Sequence, residues 1–223
     1  MVIIIAIGGR SGSGKTNVAK MLGQSIKSDI KDNQKQNLPV SSVFYISMDN
    51  FYKDTGEDAN YNYDHPDAFD WEQIIMVLRR IRKNKKVNIP IYDYIHSKQS
   101  GEYISYEPCS VVIFEGILAL HEKITNLFDI CVYIDADSDI CLWRRIERDV
   151  AERGRTINSC GKQFFYVTKK GANEYIIPTK KNADFIIANN YIENLGEITQ
   201  SNGYKTLVEL IELKLDRERN IMI

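Results

Sequence analysis

The chain predicts an α/β fold built on a parallel sheet of about five strands. Short apolar runs alternate with stretches of helical periodicity, and the runs at 2–7, 111–114 and 130–134 are continuous and rich in β-branched residues. A glycine-rich stretch joins the first run directly to the first helical stretch. Residues 2–7 form a buried strand ended by glycines, followed by a helix at about 15–27 and a polar, solvated loop at 28–39. Val43–Ser47 is the second strand. Asp70 caps the next helix, with Gln73 three residues on completing a capping box, and Ile74, Ile75, Leu78 and Ile81 share one face. Residues 87–94 and 102–106 flank a polar turn, and Pro90 restricts the first of them to a sheet edge, so the pair reads as a β-hairpin. Strands at 111–114 and 130–134 follow, then a helix from Asp137 or Ser138 to about Glu152. After that come a flexible polar stretch at 152–161, a helix at 162–176 and a strand at 184–188. The closing helix is striped by Leu207, Leu210, Ile211 and Leu215.

Two hundred and twenty-three residues, 43% apolar and 26% charged, make one domain with a substantial core. With 29 basic against 30 acidic side chains the net charge is -1, which argues against a nucleic-acid partner. The apolar N-terminal run has no basic region before it and is far shorter than the about 20 residues a bilayer requires. Cys109, Cys131, Cys141 and Cys160 show no C-x-x-C spacing and read as buried or free thiols. The expectation is a soluble cytoplasmic protein with no membrane partner.

Gly9-Arg10-Ser11-Gly12-Ser13-Gly14-Lys15-Thr16 fits G-x-x-x-x-G-K-[ST], placed between a buried strand and a helix. Glycines let backbone N–H groups turn inward around a phosphate, and the helix N-terminus adds partial positive charge there. Lys15 reaches the β- and γ-phosphates, and the Thr16 hydroxyl can ligate Mg²⁺. The fold expected is therefore a P-loop NTPase fold. A single P-loop domain over 1–223 is expected: a parallel five-stranded sheet flanked by helices, with a β-hairpin at 87–107 as the candidate substrate-binding element and an Arg-bearing stretch at 152–161 as the candidate lid.

A GTP switch would need (N/T)-K-x-D, but Thr179-Lys180-Lys181-Asn182 ends in Asn and no D-x-x-G occurs. A kinase needs a carboxylate beside the γ-phosphate and movable cations around it. Asp49 ends the second strand at the carboxyl edge of the sheet, where α/β ligands bind, and is the candidate base. Glu115 follows an apolar run as a Walker-B-like carboxylate able to hold Mg²⁺ through water. Arg144, Arg145, Arg148, Arg153 and Arg155 supply the cations, with Gly154 as a hinge. Tyr52, Tyr61, Tyr63, Phe69, Tyr92 and Tyr94, interleaved with Asp64, His65, Asp93 and His96, could enclose a planar base and a ribose. These residues leave open another small hydroxyl acceptor, as in phosphoribulokinase or a pantothenate kinase, and a non-catalytic nucleotide-binding protein.

The chain resembles the uridine kinase (uridine–cytidine kinase) family over nearly its whole length. The matching stretches are residues 8–16, Met48-Asp49-Asn50-Phe51-Tyr52, Tyr63-Asp64-His65-Pro66-Asp67-Ala68-Phe69-Asp70 and Ile89-Pro90-Ile91-Tyr92-Asp93-Tyr94. Phe114-Glu115-Gly116-Ile117-Leu118, Arg148-Asp149 with Glu152-Arg153-Gly154-Arg155, and Pro178-Thr179-Lys180-Lys181 match as well. The resemblance implies phosphorylation of uridine and cytidine to UMP and CMP by Mg²⁺–ATP, as in pyrimidine salvage, by a homotetramer restrained by pyrimidine triphosphates. It implies that Asp49 is the general base and a neighbour of Mg²⁺, with Thr16 and Glu115 completing the metal's surroundings. Asp64, with Arg145 nearby, would take the ribose hydroxyls; Tyr63 and Tyr94 would pack around the base, and Tyr92 and His96 would contact it. Arg155 and Gln163 would approach from the lid, and Arg148 and Arg153 would face the triphosphate. Two stretches depart from the family pattern. A single residue separates Tyr94 from His96, and Ala188-Asn189-Asn190-Tyr191 lacks the usual Pro-x-Gly beside adenine.

Overall fold

The computed structural model describes residues 2–32, 43–54, 61–94, 96–191 and 195–221. In chain order the strands are β1 (Ile3–Gly8), β2 (Val43–Ser47), β3 (Val87–Asp93), β4 (Lys98–Tyr106), β5 (Val111–Glu115), β6 (Ile130–Asp135) and β7 (Phe185–Ala188). Five of them form one parallel sheet in the order β2-β5-β1-β6-β7, and β3 and β4 pair antiparallel as a separate hairpin. The helices are α1 (Lys15–Asp32), α2 (Trp71–Arg82), α3 (Ser138–Arg153), α4 (Ile157–Gln163), α5 (Lys169–Gly171) and α6 (Asn202–Ile221).

Side chains of β1 alternate between two buried layers, as strand geometry requires. Ile4 and Ala6 pack in one layer with Ile74, Leu78 and Ile81 of α2. Ile3, Ile5 and Ile7 pack in the other with Val18, Leu22 and Ile26 of α1 and Leu207, Ile211 and Leu215 of α6. Every residue of β1 is buried, which explains its unbroken apolar run. Each fully buried Ile or Leu contributes about 1.5–3 kcal/mol, so this central strand anchors the loop that follows it.

Local chemistry sets several boundaries differently from the expectation. Helix α1 continues through residues 28–32, which contain neither Gly nor Pro to stop it; the rest of the expected loop lies outside the described residues. Asp70 caps α2 by accepting from the Gln73 N–H at 2.9 Å. Its own N–H donates instead to Phe51 O at 2.8 Å, so the capping box is half-formed and the helix start is tied to the chain after β2. Strand β4 begins at Lys98 rather than 102, because Gly101 (φ +82°) sits within the strand, where the register shifts between Pro90 and Tyr92.

The stretch expected to be flexible at 152–161 is mostly helical. Helix α3 runs to Arg153, Gly154 closes it in the left-handed conformation, and Thr156 Oγ1 accepts from the Ser159 N–H at 3.2 Å to start α4. The helix expected at 162–176 therefore begins at Ile157. It passes through π-helical turns at Phe164–Thr168 and Ala172–Ile176, on either side of α5. All four cysteines are unbridged. Among the described residues, no helix is long and apolar enough to cross a membrane.

Candidate active site

Sheet register gathers the chemistry at the carboxyl ends of β1, β5 and β2. Glu115 lies opposite Ile7 on one side and Ser47 on the other. The Ser47 hydroxyl then accepts from the Asp49 N–H at 3.4 Å, capping the turn Met48–Phe51 that presents Asp49. The loop after β1 turns on Gly9, Gly12 and Gly14, at φ of 143°, 84° and 90°. At Gly12 a side chain is also excluded by space, since its Cβ would lie 2.3 Å from the Cys141 carbonyl oxygen.

A cavity of about 390 Å³ opens over this loop, lined by Ser11, Gly12, Gly14, Lys15 and Thr16 together with Asp49, Glu115, Arg144 and Arg148. Lys15 is buried and its Nζ donates to Arg10 O at 3.0 Å. Burial pushes its pKa below the ordinary lysine value, against the pull of Glu115 and Asp49. Thr16 Oγ1 donates to Glu115 Oε1 at 3.2 Å. The Glu115 carboxyl is pushed up chiefly by burial, with Lys15 opposing and the Asp49 charge adding to the rise.

A second cavity of about 710 Å³ is lined by Tyr52, Tyr63, Asp64, Tyr92, Tyr94, Arg145, Arg155 and Gln163. Ser11, Asp49, Ile117, Arg148 and Glu152 line both cavities, so the two meet at Asp49. Tyr52 anchors the aromatic wall. Its ring stacks on Phe69 at 4.4 Å and meets Tyr63 edge-on at 5.2 Å and Tyr92 at 5.5 Å. Tyr94, half exposed on the hairpin, donates its hydroxyl to Asp49 Oδ2 at 3.2 Å. Asp64 lines the same cavity and is buried, and burial raises its pKa to about 6 despite the opposing Arg145 and Lys15 charges.

The cations of α3, and Arg155 just beyond it, are held rather than loose. Asp149, fully buried, gathers three of them: Arg148 Nη2 at 2.9 Å, Arg145 Nε at 3.5 Å and Arg155 Nη1 at 3.6 Å. Arg145 also donates to Thr168 Oγ1 at 2.9 Å and Gln163 Oε1 at 2.8 Å, and Arg155 donates to the same Gln163 oxygen. Arg144 donates to the backbone oxygens of Gly12, Ser13 and Asn189, each at 3.0–3.3 Å. A lone charged residue on a helix face reads as a movable cation; here burial of Asp149 makes partners obligatory.

One expected residue is not brought to the cavities. His96 is 62% exposed, and its Nδ1 lies 2.5 Å from Asp93 Oδ2; Ser97 lines the aromatic cavity in its place. The imidazole is turned back onto Asp93, the last residue of β3. Arg153 ends the backbone of α3, and its side chain lies outside the described residues. Three contributors escape sequence reasoning. Asp149 and Thr168 orient arginines, and Gln99 docks the hairpin by donating to Asn50 O and Tyr52 O, both at 3.0 Å. Only Asp149 carried a signal, a carboxylate within an arginine-rich helix.

The profile of the Phosphoribulokinase / Uridine kinase family matches residues 4–194. A uridine kinase of Borrelia duttonii is 37% identical over 214 residues, covering 94% of this chain and 97% of that protein. A uridine kinase of Lactobacillus helveticus is 40% identical over 191 residues, covering 83% and 85%. The structure of a possible uridine kinase from Bacillus stearothermophilus superposes with a TM-score of 0.59 at 19% identity, covering 83% of this chain and 88% of that one.

Proposed function

Because the chain belongs to the phosphoribulokinase/uridine kinase family, we infer that it transfers the γ-phosphate of ATP to the 5′-hydroxyl of uridine or cytidine, giving UMP or CMP. The observation that carries this reading is Asp49 standing where the cavity over residues 11–16 and an aromatic cavity join. A γ-phosphate over Lys15 and a nucleoside against Tyr52 and Asp64 would meet at that carboxylate.

In this reading Asp49 takes the proton of the 5′-hydroxyl as the oxygen attacks in line, and Lys15 and Arg148 hold the negative charge of the transferring group. The reaction then depends on positioning and charge stabilisation more than on covalent chemistry. Asp64 accepts from the ribose hydroxyls, and Tyr63, Tyr92 and Tyr94 enclose the base with Arg155 and Gln163. The short segment between α3 and α4, pivoting at Gly154, is the proposed lid. Residues 9–16 supply the triphosphate cradle.

The residues also fit Mg²⁺. Thr16, Glu115 and Asp49 present hard oxygen donors to one cavity, and Glu115, whose carboxyl is pushed up chiefly by burial, would be favoured as a carboxylate by a cation beside it. No group of three or more His, Cys, Asp or Glu side chains among the described residues is arranged as a metal cage, which suits an ion that keeps waters and phosphate oxygens. When bound, Mg²⁺ would neutralise charge on the β- and γ-oxygens. The family resemblance further supports a homotetramer acting in the cytoplasm.

Competition among uridine, cytidine, ribulose phosphate and pantothenate, with ATP or GTP as donor, tests the reading. Nucleoside 5′-monophosphate as the sole product is expected, and turnover of another acceptor, or of none, would overturn it.

Two variants follow from the geometry. Thr168→Val leaves a buried Arg145 N–H without its acceptor, an imbalance of about 1–3 kcal/mol. Michaelis constants are expected to rise several-fold for uridine but not for ATP, with Thr168→Ser near wild type. His96→Ala is expected to leave the uridine KM within about twofold, since the ring pairs with Asp93 and does not line the cavity.

A further inference from the structure

We propose that Asn189, assisted by Arg144, is a positioning residue that holds the Ser13–Gly14 peptide with its N–H turned into the phosphate cavity. The proposal rests on the phosphate-loop reading above.

Asn189 follows β7, in the stretch that lacks Pro-x-Gly, and is 1% exposed. Its backbone N–H donates to Asp135 O at 2.7 Å, which fixes the residue to the end of β6. Its side-chain Nδ2 donates to Ser13 O at 2.8 Å. Arg144 Nη1 reaches the same oxygen at 3.3 Å, and its Nη2 binds Asn189 O at 3.0 Å and also Tyr191 O. The contact is close enough that a Cβ on Gly14 would lie 2.4 Å from Nδ2.

The peptide between Ser13 and Gly14 is trans, and a planar trans peptide points its C=O and N–H in opposite directions. Two donors outside the loop hold the Ser13 carbonyl toward Asn189. The Gly14 N–H is thereby aimed away from Asn189, and Gly14 lines the 390 Å³ cavity. The neighbouring Ser13 N–H behaves differently, because it donates to Arg10 O at 3.0 Å within the loop. Gly14 therefore offers an amide whose orientation is set before any anion arrives, so little reorganisation accompanies binding.

Asn189 Oδ1 is buried without a partner among the described residues. Truncating the side chain removes that orphaned oxygen together with the hydrogen bond, so Asn189→Ala is expected to unfold at close to the wild-type temperature. Being uncharged, it alters no Coulomb attraction for the nucleotide.

Two readings on Asn189→Ala test the proposal: steady-state kinetics, and the Gly14 amide resonance in ¹⁵N-labelled protein titrated with ADP. The KM for ATP is expected to rise about tenfold with kcat and the uridine KM within about threefold, since an oriented ground-state contact has been loosened. The ADP-induced shift of the Gly14 amide is expected to shrink. Asn189→Ser, whose hydroxyl is too short to reach Ser13 O, gives the same readings if the alanine variant fails to fold. Unchanged ATP KM and an unchanged Gly14 shift in a folded variant would overturn the positioning role alone. A wild-type Gly14 amide that ignores ADP would instead overturn the phosphate-loop reading and this proposal with it.

Discussion

Asp49→Asn is expected to fold, to bind ATP and uridine with KM values within about threefold of wild type, and to lose about 10²–10⁴-fold in kcat. The asparagine keeps the volume of the carboxylate in the turn Met48–Phe51 and can still accept from Tyr94, so the walls of both cavities stay in place. What it cannot do is take the proton of an attacking hydroxyl. The loss therefore falls in the chemical step and lowers kcat and kcat/KM together. Single-turnover measurements check this, and a variant with near-normal kcat would remove Asp49 as the base.

Asp64→Asn is expected to raise the nucleoside KM by roughly 10–150-fold, the equivalent of about 1.5–3 kcal/mol for a charge-assisted hydrogen bond, while leaving the ATP KM nearly unchanged. The same variant is expected to be more stable than wild type above pH 6. Burial raises the Asp64 pKa from the ordinary 3.8 to about 6, so the folded protein binds this proton more tightly than the unfolded chain does. Stability from that protonation is full below the unfolded value and is lost as pH rises through about 6. Holding the group ionised at neutral pH costs on the order of 3 kcal/mol at most, which the amide escapes. For wild type, kcat/KM for the nucleoside should fall about tenfold per unit below pH 6, and Asp64→Asn should lack this limb. Calorimetry and a pH–rate series read the two effects separately. A defect confined to ATP would refute the ribose role.

Much of the fold was legible because its determinants are local. The unbroken β-branched run of β1, the glycines at 9, 12 and 14, and Asp70 ahead of α2 each act within a few residues of themselves. Glu115 was legible because it ends β5, and Asp49 because it follows the end of β2 by two residues, in the turn Met48–Phe51 rather than at the end of the strand itself; parallel sheets place their sites at that edge. Three features were not. The start of α4 depended on Thr156 as a cap in a stretch whose composition reads as loop. Thr168 and Gln99 matter only through partners 23 and 47–49 residues away. The turning of His96 onto Asp93 is a contact at the hairpin turn, which residue type and spacing do not specify.

The central claim, that one carboxylate joins a phosphate site to a nucleoside site, meets its most direct test in a crystal structure of the protein with uridine and a non-hydrolysable ATP analogue. The account predicts the 5′-oxygen within hydrogen-bond distance of an Asp49 carboxylate oxygen, in line with the terminal phosphorus. A nucleoside bound with that oxygen turned away from Asp49, or seated outside the Tyr52–Asp64 cavity, would contradict it.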